Sequence, residues 1–342
     1  MTTKKRINLA LQGGGAHGAF TWGVLDRILE DDDIEIAAIT GTSAGALNGA
    51  AVKAGLARGT RQDARDNLDW MWDQVAGVGD SHLAQWLTDF IPDTSPWTQM
   101  MQMAMPFSLT QTAAQLVSPY YYGPLYRNPL QSVVDKFDFE TICSDKGPRL
   151  FIGATQLRNG KARIFTRDEI STDAILASAC LPTVFQAIEI EDPKTGHKES
   201  YWDGGYSANP PLHPLYDPEL PRDVVIVNIN PMHRNEIPKT PLDIEDRINE
   251  ISFNAALLRE LQVLQAVQRV QPEEGPIGRV LVHMISDDAL MRSLSAESKA
   301  MPDPGLLRSL KEAGRESADM FLEDHKPALG VESSVNLDAL LD

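Results

Sequence analysis

Two glycine-punctuated segments within the first 56 residues constrain the fold more than anything else in the chain. The apolar run Ile7–Leu11 ends in Gln12-Gly13-Gly14-Gly15, and Ile34–Thr40 ends in Gly41-Thr42-Ser43-Ala44-Gly45. Each reads as a short buried strand entering a tight turn. Behind the first turn, Phe20, Val24, Leu25 and Ile28 recur at helical spacing and predict a helix over Ala16–Glu30. Behind the second, the alanine-rich stretch Ala46–Leu56 predicts another. Strand, helix, strand, helix in this order is the signature of an α/β fold around a parallel sheet.

Further along, Leu150–Thr155 and Ala162–Phe165 have strand character, and Thr172–Ala179 reads as a short helix stopped at Leu181-Pro182. Ile188–Ile190 and Glu199–Trp202 flank the turn sequence Asp192-Pro193-Lys194-Thr195-Gly196, which predicts a hairpin. Val224–Ile229 is a continuous apolar run suited to a sheet centre, and Val280–Ile285 is a candidate for one more strand. Thr240-Pro241-Leu242-Asp243 is a strong helix start. From it a long amphipathic helix is expected up to about Val270, its apolar positions Ile244, Ile248, Ile251, Ala255 and Leu258 joined by Leu257, Leu261, Leu264 and Val267. The end of the chain beyond Asp303 is expected to be helical with a frayed tail.

Residues 59–130 differ in character. They hold Trp70, Trp72, Trp86 and Trp97, the methionine-rich stretch Met100–Met105 and Tyr120-Tyr121-Tyr122. One reading makes these helical core residues. The other makes them an adaptable apolar cap over a pocket, a use to which methionine and aromatic side chains are suited.

The 342 residues carry 31 Lys and Arg against 48 Asp and Glu, a net charge of −17. Residues 236–342 hold 11 of the former and 20 of the latter, so much of the excess lies in this last third. No run of five Lys or Arg occurs. So anionic a chain repels phosphate backbones, and nucleic acid is not expected as a partner. Cys143 and Cys180 form neither a disulfide framework nor a metal-ligand spacing, consistent with a reducing compartment. The N-terminal apolar run is too short for a secretion signal, and no stretch is long and apolar enough to cross a membrane. A cytoplasmic protein is expected.

Three motifs carry chemistry. Gly41–Gly45 matches G-x-S-x-G between a strand and a helix, the setting of a nucleophile elbow that lifts the Ser43 hydroxyl above the sheet. The competing reading is a glycine turn in which Ser43 merely caps a helix. Gly13-Gly14-Gly15-Ala16-His17-Gly18 has two readings of its own. It satisfies the dinucleotide fingerprint G-x-G-x-x-G, but the acidic residue required at the end of the next strand is missing, because Glu35 stands at that strand's start. Alternatively, its N–H groups form an oxyanion hole at a helix N-terminus. The third motif, Asp203-Gly204-Gly205, follows a strand and leads into Asn209-Pro210-Pro211, so its carboxylate is aimed at a neighbour or closes an ordinary turn.

Together, in this order, the three motifs resemble the patatin-like phospholipases. Ala177-Ser178-Ala179-Cys180-Leu181-Pro182 and Asn209-Pro210-Pro211 are similar to that family's connecting stretches, so the likeness covers about residues 5–235. It implies a three-layer α/β fold with a central, mainly parallel sheet flanked by helices. The catalytic domain would span residues 1–235, with the helical insertion at about 60–130, and an acidic, mainly helical extension would span 236–342. The resemblance further implies a Ser–Asp dyad, with Ser43 as nucleophile and Asp203 as base. Gly13, Gly14, Gly15 and the Ala44 amide would form the oxyanion site. His17, Gly18, Gly41, Gly45, Gly204 and Gly205 would support it. No metal or other cofactor is implied.

The chain departs from the family where His17 stands in place of an arginine or lysine, which makes any cationic role there weaker or pH-dependent. His17 as a third catalytic member, and His213, are further candidates.

The implied activity is hydrolysis of carboxylic esters in phospholipids or related lipids through an acyl-enzyme. Lipid contact would be made through apolar residues such as Trp97, Met100–Met105 and Tyr120–Tyr122, not through attraction to anionic head groups. An esterase or depolymerase for another acyl polymer, a nucleotide-binding module, and an idle scaffold whose long helix binds a partner are the alternatives.

Overall fold

The computed structural model of the chain describes residues 4–78, 118–120, 123, 126–271, 275–294, 298–299 and 302–341. Eight strands form one mixed sheet: β1 (Lys5–Leu11), β2 (Ile34–Thr42), β3 (Arg149–Gln156), β4 (Ala162–Thr166), β5 (Ile188–Asp192), β6 (His197–Asp203), β7 (Asp223–Asn228) and β8 (Leu281–Ser286). Their order is β5-β6-β3-β2-β1-β7-β8, with β4 also paired to β3. The run from β3 to β8 is parallel, while β4 and the β5–β6 hairpin are antiparallel.

Parity along the central strands sorts the apolar side chains onto two faces. Leu9, Leu11, Val225 and Val227 enter one core, and Ala10, Val224 and Ile226 enter the other. The first core is covered by α1 (Gly18–Ile28), α2 (Ala44–Arg58), α3 (Arg61–Val78) and α4 (Thr172–Ser178). The second is covered by α5 (Pro241–Val270) through Leu257, Leu261 and Leu264. Helix, sheet and helix thus form three layers.

Residues beyond 235 belong to the same body. β8 pairs in register with β7 from Asp223–Leu281 to Asn228–Ser286. α6 (Pro304–His325) buries Leu307, Leu310, Ala318, Phe321 and Leu322 and packs along α1. Asp26 of α1 is buried and receives Arg65 of α3 at 2.7 Å and Arg315 of α6, joining three helices at one carboxylate.

The long helix starts as its sequence predicts, with Thr240 and Asp243 bonding each other's backbone N–H at 3.1 and 3.2 Å. Its predicted apolar face is corrected in the first half, where Ile244, Ile248 and Ile251 are exposed. The inward positions there carry Glu250, bound to Arg234 and Arg247, and Asn254, which donates to Pro231 O. This polar clamp takes the inward face and turns the isoleucines out.

Within the insertion, Trp72 is buried, stacked on Trp22, and donates to Asn48 Oδ1 at 3.0 Å. Trp70 packs on Phe137. Tyr120 is 59% exposed, its hydroxyl accepting the Ala187 N–H. Trp86, Trp97, Met100–Met105, Tyr121 and Tyr122 lie outside the described residues. Among those described, no helix is long and apolar enough to cross a membrane.

Candidate active site

β3 is the ruler that brings the two acidic and nucleophilic motifs together. Gly153 of β3 pairs with Thr42 at the end of β2, and the next residue, Ala154, pairs with Asp203 at the end of β6. Thr42 and Asp203, far apart in the chain, therefore stand one rung apart at the same end of the sheet, and Ser43 directly follows Thr42.

Ser43 sits between β2 and α2 with φ 55° and ψ −123°, a conformation that non-glycine residues rarely adopt. Such backbone strain costs about 1–3 kcal/mol and persists only where the surroundings enforce it. Here the Ser43 N–H donates to Ser178 Oγ at 2.9 Å, and the Ser43 carbonyl accepts the Ala46 and Leu47 N–H groups. The Ser43 side chain makes no capping bond to its helix, so the capping reading fails and the hydroxyl is left for chemistry. Gly41 is the next-to-last residue of β2 and Gly45 lies in the first turn of α2.

Asp203 is wholly buried. Its N–H donates to Cys180 O and its carbonyl accepts the Thr155 hydroxyl, both at 2.8 Å, which fixes the backbone from two sides. Oδ1 accepts the Gly205 N–H at 2.8 Å within the turn formed by Gly204 and Gly205. Burial pushes the carboxyl up to about 7, against the opposing pull of the Gly205 N–H and the Ser43 hydroxyl.

The glycine loop closes over the same space. A Cβ on Gly13 would lie 2.7 Å from both Ser43 Cβ and Thr42 O, so only glycine lets the loop approach the serine this closely. Gly13 is nonetheless corrected as a donor, because its N–H is taken by Asn209 Oδ1 at 2.6 Å. Its carbonyl accepts Asn209 Nδ2 at 3.3 Å and Asn230 Nδ2 at 2.9 Å. Among the described residues, no hydrogen bond outside a helix or strand engages the N–H groups of Gly14 and Gly15, and those of Ala44 and Gly45 lie in the first turn of α2, where no intrahelical partner exists. Gly18 opens α1.

His17 is buried, with Nε2 2.7 Å from Ser298 Oγ and Nδ1 without a hydrogen bond among the described residues. Burial, reinforced by Lys299, pushes its pKa down to about 3. The ring is neutral near pH 7, so His17 supplies no fixed cation where the family's loop carries arginine or lysine. The His213 backbone N–H binds Glu260 Oε2, and no contact joins its ring to Ser43 or Asp203 among the described residues. Glu35, the acid the dinucleotide reading would need, pairs across from Arg6 at the end of the sheet opposite the glycine loop. No group of three His, Cys, Asp or Glu side chains able to hold a metal exists among the described residues.

Of the residues that hold the site, Ser178 and Asn209 fall in stretches that carry the resemblance but with no role read from them, and Asn230 lies outside every motif. Each is a lone polar side chain whose partner is distant backbone, so no local spacing marks it.

A model of the patatin-like phospholipases matches residues 9–216, well over half the chain and all three motifs. The chain belongs to the patatin-like phospholipase family. Membership points to lipid acyl hydrolysis as the class of activity, and the mostly parallel sheet between helical layers is the corresponding fold. Among solved structures, that of VipD from Legionella pneumophila matches with a TM-score of 0.44 and 14% identity, over 94% of this chain and 67% of that one. None of the curated proteins compared matches the chain.

Proposed function

We propose that this patatin-like protein is a serine hydrolase of carboxylic esters in phospholipids or related lipids, working through Ser43 and Asp203 without a histidine. The placement of an uncapped, strained Ser43 directly after Thr42, which stands one rung from a fully buried Asp203, supports this reading most directly. In its ionised form Asp203 accepts the Ser43 proton as Oγ attacks the ester carbonyl. The N–H groups of Gly14, Gly15 and Ala44 stabilise the resulting oxyanion, and each such donor is typically worth about 2.7–4 kcal/mol in the transition state. Collapse expels the alcohol, which takes the proton from Asp203. A water then gives a proton to the same carboxylate and attacks the Ser43 acyl ester; the acyl C–Oγ bond breaks, Oγ takes that proton back from Asp203, and the acid is released.

Lipid would reach the site through apolar surface, since a net charge of −17 disfavours attraction to anionic head groups. The two unpaired cysteines fit a cytoplasmic location.

The test pairs a fluorophosphonate probe with a panel of phospholipid, lysophospholipid and short-chain esters. Wild type should label at Ser43 and release fatty acid, and Ser43→Ala should do neither while keeping its fold. Ester hydrolysis surviving in Ser43→Ala overturns the assignment. Turnover of an acyl polymer with no turnover of lipids would favour the depolymerase reading.

A further inference from the structure

We propose that Lys299, supplied by the C-terminal third of the chain, is a positioning residue for the oxyanion loop, acting on the Gly14 N–H through the Asn230 side-chain amide. The inference rests on the serine-hydrolase reading above. Lys299 Nζ donates to Asn230 Oδ1 at 3.0 Å. The other end of that amide, Nδ2, donates to Gly13 O at 2.9 Å and to Gln12 Oε1 at 3.1 Å. Gly13 O and the Gly14 N–H belong to one trans peptide, so they point in opposite directions. Holding the carbonyl from behind therefore sets where the N–H aims in front.

The choice of a lysine has a chemical reason. An ammonium group donates and never accepts, so a flipped Asn230 amide would set donor against donor at Lys299. The cation thus enforces the one orientation in which Nδ2 faces its two acceptors. A charge-assisted bond at Oδ1 also polarises the amide and strengthens what Nδ2 donates.

Two further contacts tie the same segment to the loop. A Cβ on Gly15, where φ is +59°, would lie 2.2 Å from Lys299 O, so main chain is stacked against main chain. The neighbouring Ser298 hydroxyl reaches His17 Nε2 at 2.7 Å. Burial pushes the Lys299 ammonium below the usual lysine range, while Glu250 and Asp246 work to keep it charged. Its hydrogen bond goes to Asn230 and not toward Ser43 Oγ, which makes it a positioning group.

The test uses the full-length protein and a soluble ester, with Lys299→Met, Lys299→Ala and Asn230→Ser. Lys299→Met should lower kcat by about tenfold or more, a partial loss of one oxyanion donor, with KM within about twofold. Ethylamine added to Lys299→Ala should restore part of kcat, a rescue that a role in folding alone would not give. Asn230→Ser leaves Lys299 in place but shortens the bridge, so it tests the same path if the lysine variants lose their fold. It should lower kcat alone, and combining it with Lys299→Met should add little. Wild-type kcat in a folded Lys299→Met or Asn230→Ser, a loss confined to KM, or the absence of amine rescue overturns the proposal. If wild type neither labels at Ser43 nor hydrolyses esters, the serine-hydrolase reading itself falls, an outcome separate from all of these.

Discussion

Ser178 holds Ser43 in place: its Oγ accepts the Ser43 N–H at 2.9 Å and its own proton goes to Gly153 O at 2.6 Å. Two residues later, Cys180 O accepts the Asp203 N–H. The end of α4 therefore grips both members of the proposed dyad, and Gly153 is the β3 residue that already pairs with Thr42. Ser178→Ala leaves the buried Ser43 N–H without a partner, a loss of about 1–3 kcal/mol. The expected result is a lower midpoint in urea unfolding and ester hydrolysis reduced by about an order of magnitude, the cost of a slightly misplaced nucleophile. Unchanged activity would mean that the elbow holds its shape without this bond.

The strain at Ser43 is separable from its chemistry. Alanine at this position keeps the unfavourable φ of 55°, whereas glycine adopts it freely. Ser43→Gly should be more stable than Ser43→Ala by about 1 kcal/mol, the strain recovered less the entropy glycine adds to the unfolded chain. Both should be inert to the fluorophosphonate probe. Equal unfolding midpoints for the two variants would show that the elbow stores no strain.

Asp203 carries a pH signature of definite sign. Its carboxyl titrates near 7 when folded and near 3.8 when unfolded. The base is the carboxylate, so kcat/KM should rise with pH through an acid limb near 7. Between about 4 and 7 the folded state holds a proton that the unfolded state has lost. This group's contribution to stability is thus present below that window and falls as pH rises through it. Asp203→Asn should be inactive, yet gain stability relative to wild type on going from pH 4 to pH 8, on the order of a few kcal/mol. Parallel stability–pH curves for the two proteins would contradict the shift.

What could be read from the sequence follows from what is local. Ser43 and Asp203 are legible because strand, glycine turn and helix are adjacent in the chain, and each turn announces its own residue. The parallel core strands are legible because continuous apolar runs suit burial on both faces. The grips on the site are not. Ser178, Asn209, Asn230 and Lys299 act on backbone or side chains brought close only by strand order, and a lone polar residue bonded to a distant carbonyl leaves no periodicity. The inward face of α5 was hidden for a related reason, since apolar spacing alone gives no sign that Glu250 and Asn254 have partners waiting in Arg234, Arg247 and Pro231.

His17 provides the counterpart to Asp203. It is buried, and its pKa is pushed down to about 3 from 6.5. Below 6.5 the unfolded chain takes up a proton that the folded ring refuses until about pH 3, so this group's stabilisation is present above 6.5 and is lost as pH falls through that range. The slope is opposite in sign to that of Asp203. His17→Gln, which keeps a polar group to meet Ser298 Oγ, should therefore flatten the decline in stability on acidification. Because the ring does not titrate near neutrality, the acid limb of kcat/KM should stay near 7 in this variant, with any loss of rate uniform across pH. A limb that moves in His17→Gln would make His17, and not Asp203, the group whose ionisation governs turnover.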